Sequence, residues 1–181
     1  MKKDTEKEVR RRIKIGWKSF FKNKEFLTGK RVGMILKRRL FNTCVLPAML
    51  YGSQTWTMTK KIEMMMEVAQ RRMERMMARV TLRDRKTNEW LRAVTKVKDF
   101  VKCARKRKIQ WARKLALMNV NNWARCSTQW QPRIGKRNRG RPKMRWRDSI
   151  CKIAGQAWMR KATNDDIWSD LEEAFVCNEQ L

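Results

Sequence analysis

The side chains with the most chemistry to offer in this sequence are cations. Arg71, Arg75 and Arg79 fall four residues apart, so a helix would carry them on one flank. Lys102, Arg105, Lys106, Lys108, Arg113 and Lys114 form a second set, in a stretch from 102 to 114 that holds seven basic residues and no acidic one. A third set lies in GKRNRGRPKMRWRD, residues 135–148, where seven of fourteen residues are Lys or Arg. Arg137, Arg139 and Arg141 are its leading candidates. Guanidinium and ammonium groups repeated at such a pitch make phosphate contacts along a nucleic-acid backbone.

The bulk charge agrees. Lys plus Arg number 46 against 17 Asp plus Glu, a formal net charge of +29 in 181 residues. That field repels itself in a folded chain unless a polyanion neutralises it, and nucleic acid is the natural polyanion. An anionic membrane surface is the competing reading, through amphipathic helices lying on it. No apolar run reaches the length of a membrane span, and MKKDTEKEVRRR has no apolar core behind it to make a signal peptide.

Other chemistry finds little support. There is no histidine, which removes Ser-His and Cys-His nucleophilic catalysis and any zinc site with a histidine ligand. Asp165-Asp166 is the adjacent acidic pair that a two-metal polymerase reading would reach for. It follows Thr163-Asn164 and opens an apolar helical pattern, so first-turn acids complementing a helix dipole explain it better. Cys44, Cys103, Cys126, Cys151 and Cys177 are widely spaced, with no C-x-x-C pair. They read as reduced, buried thiols of an intracellular protein, in nucleus or cytoplasm. No catalytic residue, metal or cofactor is assigned.

Helices must position these cations. Val9, Ile13, Trp17 and Phe20 make one apolar face, with Lys14, Lys18 and Lys22 on another. A break is expected near Asn23 and another at Thr28-Gly29. A second helix over 31–44 should be kinked or ended by Pro47, with a turn at Tyr51-Gly52-Ser53. The clearest helix spans 59–80, where Ile62, Met65, Met66, Ala69, Met73, Met76, Met77 and Val80 form a broad stripe. Thr87 is placed to cap a short helix before one over 98–118. Residues 119–141 read as loop or short strand, and helices resume near 143–154 and 164–177. With 42% hydrophobic residues the chain can bury a core. The fold class expected is mostly α: a helical bundle over 1–82, then a smaller, loop-rich basic region over 83–181. Its last helix is acidic; it could dock on the basic body, but a charged face left in solvent is the default reading.

Four blocks of sequence carry a resemblance. LFNTCVLPAMLYGSQTW (40–56) resembles a pattern, approximately F-x-x-C-V-L-P-x-x-x-Y-G-x-E-T-W, of LINE-type (non-long-terminal-repeat, RTE-like) retrotransposon reverse transcriptases. Phe41, Cys44, Val45, Leu46, Pro47, Tyr51, Gly52, Thr55 and Trp56 carry it. AQRRMERMMARVTLRDR (69–85), KIQWARKLAL (108–117) and WQPRIGKRNRGRPKMRWRDSI (130–150) resemble the family's following blocks, in the same order. Gln54 stands where the family has glutamate, and Arg113-Lys114 where it has Gly-His.

The resemblance implies the thumb and C-terminal region of such an enzyme, without the catalytic palm. Its parent activity would be RNA-directed DNA polymerisation, and this chain alone is expected to have none. It would grip a template–primer or the element's RNA by phosphate and sugar contacts, with RNA, DNA or hybrid duplex as partner. The rest of the reverse transcriptase is a further possible partner. A different reading makes Arg139-Gly140-Arg141-Pro142 a hook for A·T-rich minor grooves. A basic loop leading into a packed helix fits that stretch better, because Pro142, Met144, Trp146 and Ile150 have helix-start and helix-face spacing.

Overall fold

The computed structural model describes residues 5–129 and 144–177, and every regular element among them is helical. The mostly α expectation therefore holds. Two compact units emerge: residues 1–52 with 60–103, and residues 53–59 with 104–181. The sequence-based boundary at 82/83 falls inside the first of these.

The first unit begins with α1 (Thr5–Lys22) and the short α2 (Lys24–Thr28), separated at Asn23 as the sequence predicts. α3 (Met34–Leu40) then runs through a single π turn (Phe41–Val45) into α4 (Leu46–Leu50). Pro47 was expected to kink or end this helix, and it does not end it: α4 continues to Leu50. Pro47 has no N–H to donate, and its ring would press on the carbonyl four residues back, at Thr43. That carbonyl lies in the wider π turn, where Leu46 N–H bonds instead to Phe41 O. The helical rod ends at Tyr51, and Gly52 follows at φ +76°, a conformation glycine adopts without steric cost.

α5 (Lys60–Ala78) supplies the largest share of this core. Ile62, Met66, Ala69, Met73 and Met77 are buried with Val9, Phe20, Phe41, Val45, Met49, Leu91 and Phe100. Each such methionine stabilises by about 1.5–3 kcal/mol relative to exposure. Met65 and Met76 lie only partly buried at the stripe's edge. Gly16 lets α1 approach α4 closely: a Cβ there would overlap Met49 Cγ. α6 (Asn88–Thr95) is capped by Thr87, whose Oγ1 accepts from Trp90 N–H at 3.2 Å.

Two cations of α3 serve as helix caps. Lys37, buried, donates from Nζ to Met77 O at 3.1 Å, and Arg38 Nε donates to Thr95 O at 2.9 Å. These carbonyls sit at the C-terminal ends of α5 and α6, where backbone acceptors lack helical partners and positive charge is favoured. Burial, then Arg79, pushes the Lys37 ammonium below its usual pKa.

The second unit is built on α7 (Phe100–Leu117), whose first turn belongs to the first unit. α8 (Trp123–Gln129), α9 (Asp148–Ala154), α10 (Trp158–Lys161) and α11 (Asp165–Cys177) follow. α8 lies in a stretch read as loop or strand. The core gathers Ile109, Ala112, Ala116, Ile150, Ala154, Trp158, Trp168, Leu171 and Phe175, with the two tryptophan rings 6.4 Å apart. Among the described residues, no helix is long and apolar enough to cross a membrane. The cysteines are free, but not buried as expected: Cys44, Cys126 and Cys177 are exposed, and Cys103 and Cys151 are half-buried.

Candidate nucleic-acid interface

The arginine flank of α5 is not a uniform row. Arg71 is half-buried and pairs with Glu67 at 3.0 Å, one turn before it. Arg75 donates from Nη2 to Asn88 Oδ1 at 3.1 Å, tying α5 to the start of α6. Arg79 lies beyond the last residue of α5 at φ 58°, so the four-residue progression stops there. Its N–H bonds to Met76 O and Val80 N–H to Arg75 O, at 3.2 and 3.0 Å, the paired bonds that close a helix end around a left-handed residue. Arg79 is exposed, but it lies outside the helix that carries Arg71 and Arg75.

Beside Arg71 lies an acid that sequence reading passed over. Glu74 is 2% exposed; Oε1 accepts from Gln70 Nε2 at 2.7 Å and Oε2 from Thr95 Oγ1 at 3.1 Å. Gln70 also bonds Lys98 O at 3.1 Å and accepts from Phe100 N–H at 2.7 Å, so the network ties α5, α6 and the start of α7 together. Burial pushes the Glu74 carboxyl above its usual range, outweighing the two hydrogen bonds and Arg92; Asp99 adds to the rise. Helix position could have flagged it: Gln70, Met73, Glu74 and Met77 share one face.

The set from 102 to 114 divides by environment. Lys102, in the first unit, is exposed. In the second unit Lys108 corrects the sequence reading, because its side chain is 0% exposed. Nζ donates to Trp56 O at 3.1 Å and lies 5.3 Å from the centre of the Trp146 ring, whose Nε1 donates to Gln54 O at 2.7 Å. A carbonyl and a π face hold the buried ammonium, and phosphate cannot reach it. The signal was present: Ala104, Lys108, Ala112 and Leu115 lie on one α7 face, and its other members are apolar. Three of the four resemblance blocks thus meet at Lys108, in a structural staple.

Three further α7 cations, Arg105, Lys106 and Arg113, lie against α11, and both readings of that helix are met in part. Most of its acids are exposed, as a solvated charged face requires, yet it also docks on α7: Arg113 Nη2 pairs with Asp165, Lys106 lies 3.9 Å from Glu172, and Gln110 donates to Glu172 at 3.0 Å. Arg105 donates to Val176 O at 3.4 Å. Trp168, Leu171 and Phe175 anchor the helix underneath, while Asp166, Asp170 and Glu173 remain exposed. Asn164 Oδ1 accepts from Ile167 N–H at 3.1 Å, so Asp165 and Asp166 occupy a capped first turn. Lys114 stays exposed, 5.9 Å from the Trp111 ring centre. Arg137, Arg139, Arg141 and the Arg139-to-Pro142 hook lie outside the described residues.

Sequence reading placed Lys14 and Lys18 on a face of α1 without assigning them a role. Arg10, Arg11 and Arg12 of the same helix are paired with Glu6 and Glu8. Lys14, Lys18 and, on α5, Arg72 are exposed and form no ion pair among the described residues. Among the described residues there is no cluster of three potential metal ligands.

The chain is similar to an uncharacterised transposon-derived protein of Caenorhabditis elegans, 32% identical over 152 residues. The match covers 80% of this chain and 53% of that relative, so the chain spans about half the relative's length. The similarity is consistent with a transposable-element origin. No protein-family model matches the chain, and no solved structure matches it.

Proposed function

We propose that this chain is a nucleic-acid-binding part of a LINE-type retrotransposon reverse transcriptase, corresponding to its thumb and C-terminal region. It grips template–primer or element RNA through phosphate contacts and does not polymerise by itself. The observation that carries this reading is the surplus of exposed cations with no ion pair among the described residues, Lys14, Lys18, Arg72, Lys102 and Lys114 among them. They belong to a chain of net charge +29 whose matched relative is named transposon-derived. The ordered sequence blocks supply the enzyme class, and the relative's greater length leaves room for other domains. Ile35 and Leu36, adjacent on α3, are 73% and 53% exposed. Another domain of a longer polymerase would cover such apolar surface.

A salt titration of purified protein on duplex and hybrid oligonucleotides tests the grip. Neutralising about four phosphates makes affinity fall roughly 100-fold over a fourfold rise in salt, with little dependence on sequence. An affinity that barely moves with salt overturns the reading. Primer extension tests the second half: template-dependent synthesis by this chain would show that it is not a palm-less part.

A further inference from the structure

Between α1 and α5 the first unit has an open groove of about 510 Å³, in the size range of sites that hold small organic groups. Its floor is apolar, with Trp17 from α1 and Met64 and Val68 from α5. Its rim is cationic: Arg10, Lys14 and Arg72. None of the residues lining it is acidic. Arg10 is occupied by Glu6 at 2.7 Å, but Lys14 and Arg72 have no counter-ion among the described residues. Trp17 is held in place by Phe21, stacked at 5.4 Å, and by the edge of Phe20 at 5.6 Å. Met64 and Val68 are 65% and 41% exposed although they flank this ring's groove.

This combination selects its ligand. A duplex turns its bases inward and shows a protein mainly sugar and phosphate, so it has no use for an apolar floor. A purely apolar partner would leave Lys14 and Arg72 desolvated without partners. Unpaired nucleotides satisfy both: each base offers a π face to a flat aromatic or thioether surface, and each phosphate an anion to a cation beside it. We propose that the α1–α5 groove is a single-stranded nucleic-acid site. Bases lie on Trp17, Met64 and Val68, and the backbone runs over Lys14 and Arg72. The proposal rests on the nucleic-acid reading above and deepens it by naming the strandedness and the residues.

The test uses the full chain and three labelled probes: oligouridylate, oligothymidylate and a hairpin duplex of matched length. The Lys14→Ala/Arg72→Ala double variant is compared with Lys30→Ala/Arg31→Ala, which removes equal charge from exposed positions elsewhere in the unit. The groove variant should weaken single-strand binding by about 10-fold and duplex binding by no more than about 2-fold. The control should weaken all probes alike and slightly. Oligouridylate against oligothymidylate tells RNA from DNA as the source of the strand. Independently of folding effects, photo-crosslinking of 5-iodouridine oligomers to the unmodified protein should map to peptides containing Trp17 or Met64. Equal losses in the two double variants overturn the site and leave the general phosphate grip standing. Absence of salt-dependent binding by the unmodified chain removes the functional reading itself. Crosslinks between Met64 and a second copy of the chain, in place of nucleotide, would make the groove a protein interface and end the proposal.

Discussion

Two cationic helices in this molecule meet opposite fates. α1 presents Lys14 and Lys18 to solvent, with Arg72 of α5 across an apolar groove and no acid on its lining. α7 presents Arg105, Lys106 and Arg113, and α11 sets a backbone carbonyl, Glu172 and Asp165 against them, although Lys106 stays exposed. Composition counts the two helices as equivalent. Folding does not, because a cation facing its own chain's carboxylate is no longer offered to phosphate. Net charge therefore does not say which cations a polyanion would meet.

Each half of that contrast can be broken separately. The largest effect is expected at Lys108, whose removal strips a buried carbonyl and an aromatic face of their partner. Lys108→Ala should destabilise by about 3 kcal/mol in denaturant unfolding, whereas Lys108→Met, of similar shape, should stay within about 1–2 kcal/mol of the parent. Protection from hydrogen exchange should be lost first around Trp56 and α7. In the first unit, Gly16→Val forces a branched side chain into Met49 and should cost about 1–3 kcal/mol, loosening α1 and with it the groove. A melt unchanged by that substitution would mean α1 does not depend on its close approach to α4.

Within the first unit the acids behave in two ways, and pH separates them. Glu74 is buried and its folded pKa is raised, so the folded chain holds that proton more tightly than the unfolded chain does. Its contribution is fullest below the ordinary carboxylate range and declines as pH rises from there through the raised value. Glu74→Gln, which keeps the hydrogen-bonding shape, should gain stability relative to the parent as pH is raised across that interval, read as a widening difference in denaturation midpoint. Glu6, Asp84 and Glu89 have the opposite sign: their pKa values are held down by hydrogen bonds from neighbouring groups, and their help is lost as pH falls. A parent-to-variant difference that is flat with pH would place the Glu74 proton elsewhere.

The smallest effect on stability sharpens the contrast most. Asp165→Asn with Glu172→Gln leaves Trp168, Leu171 and Phe175 in place while releasing Arg113 and Lys106. Thermal stability should hardly change, as for exposed ion pairs generally. Affinity for duplex should rise several-fold, with a steeper salt dependence. No gain in binding would mean that the α7 face lies off the path of the nucleic acid even when uncovered.

Much of the scaffold was legible in the sequence because helices announce themselves by period. The methionine stripe of α5, the Asn23 break and the Thr87 cap each follow from local residue chemistry. What was not legible depended on partners distant in sequence. Lys108 reads as a surface charge and Glu74 goes unnoticed, while their positions on largely apolar helix faces say core. The covering of α7 by α11 joins residues more than fifty positions apart, and no local pattern encodes it. α8 and α10 are too short for periodicity to declare them. Pro47 misled in a simpler way: its rule assumes α geometry in the preceding turn, and that turn is wider.

The π turn at Phe41–Val45 sets a phase. An α-helix advances about 100° per residue, so one residue more or less in that turn would rotate everything beyond it by that angle. Leu46, Met49 and Leu50 now face inward against α1, while Met34, Leu40 and the two capping cations keep their own alignment upstream. Deleting a single residue from 41–45 would leave the composition of every face intact and turn one half of the rod out of step with the other. The segment thus works as a keyway, and its length is as strictly set as the identity of any side chain it aligns.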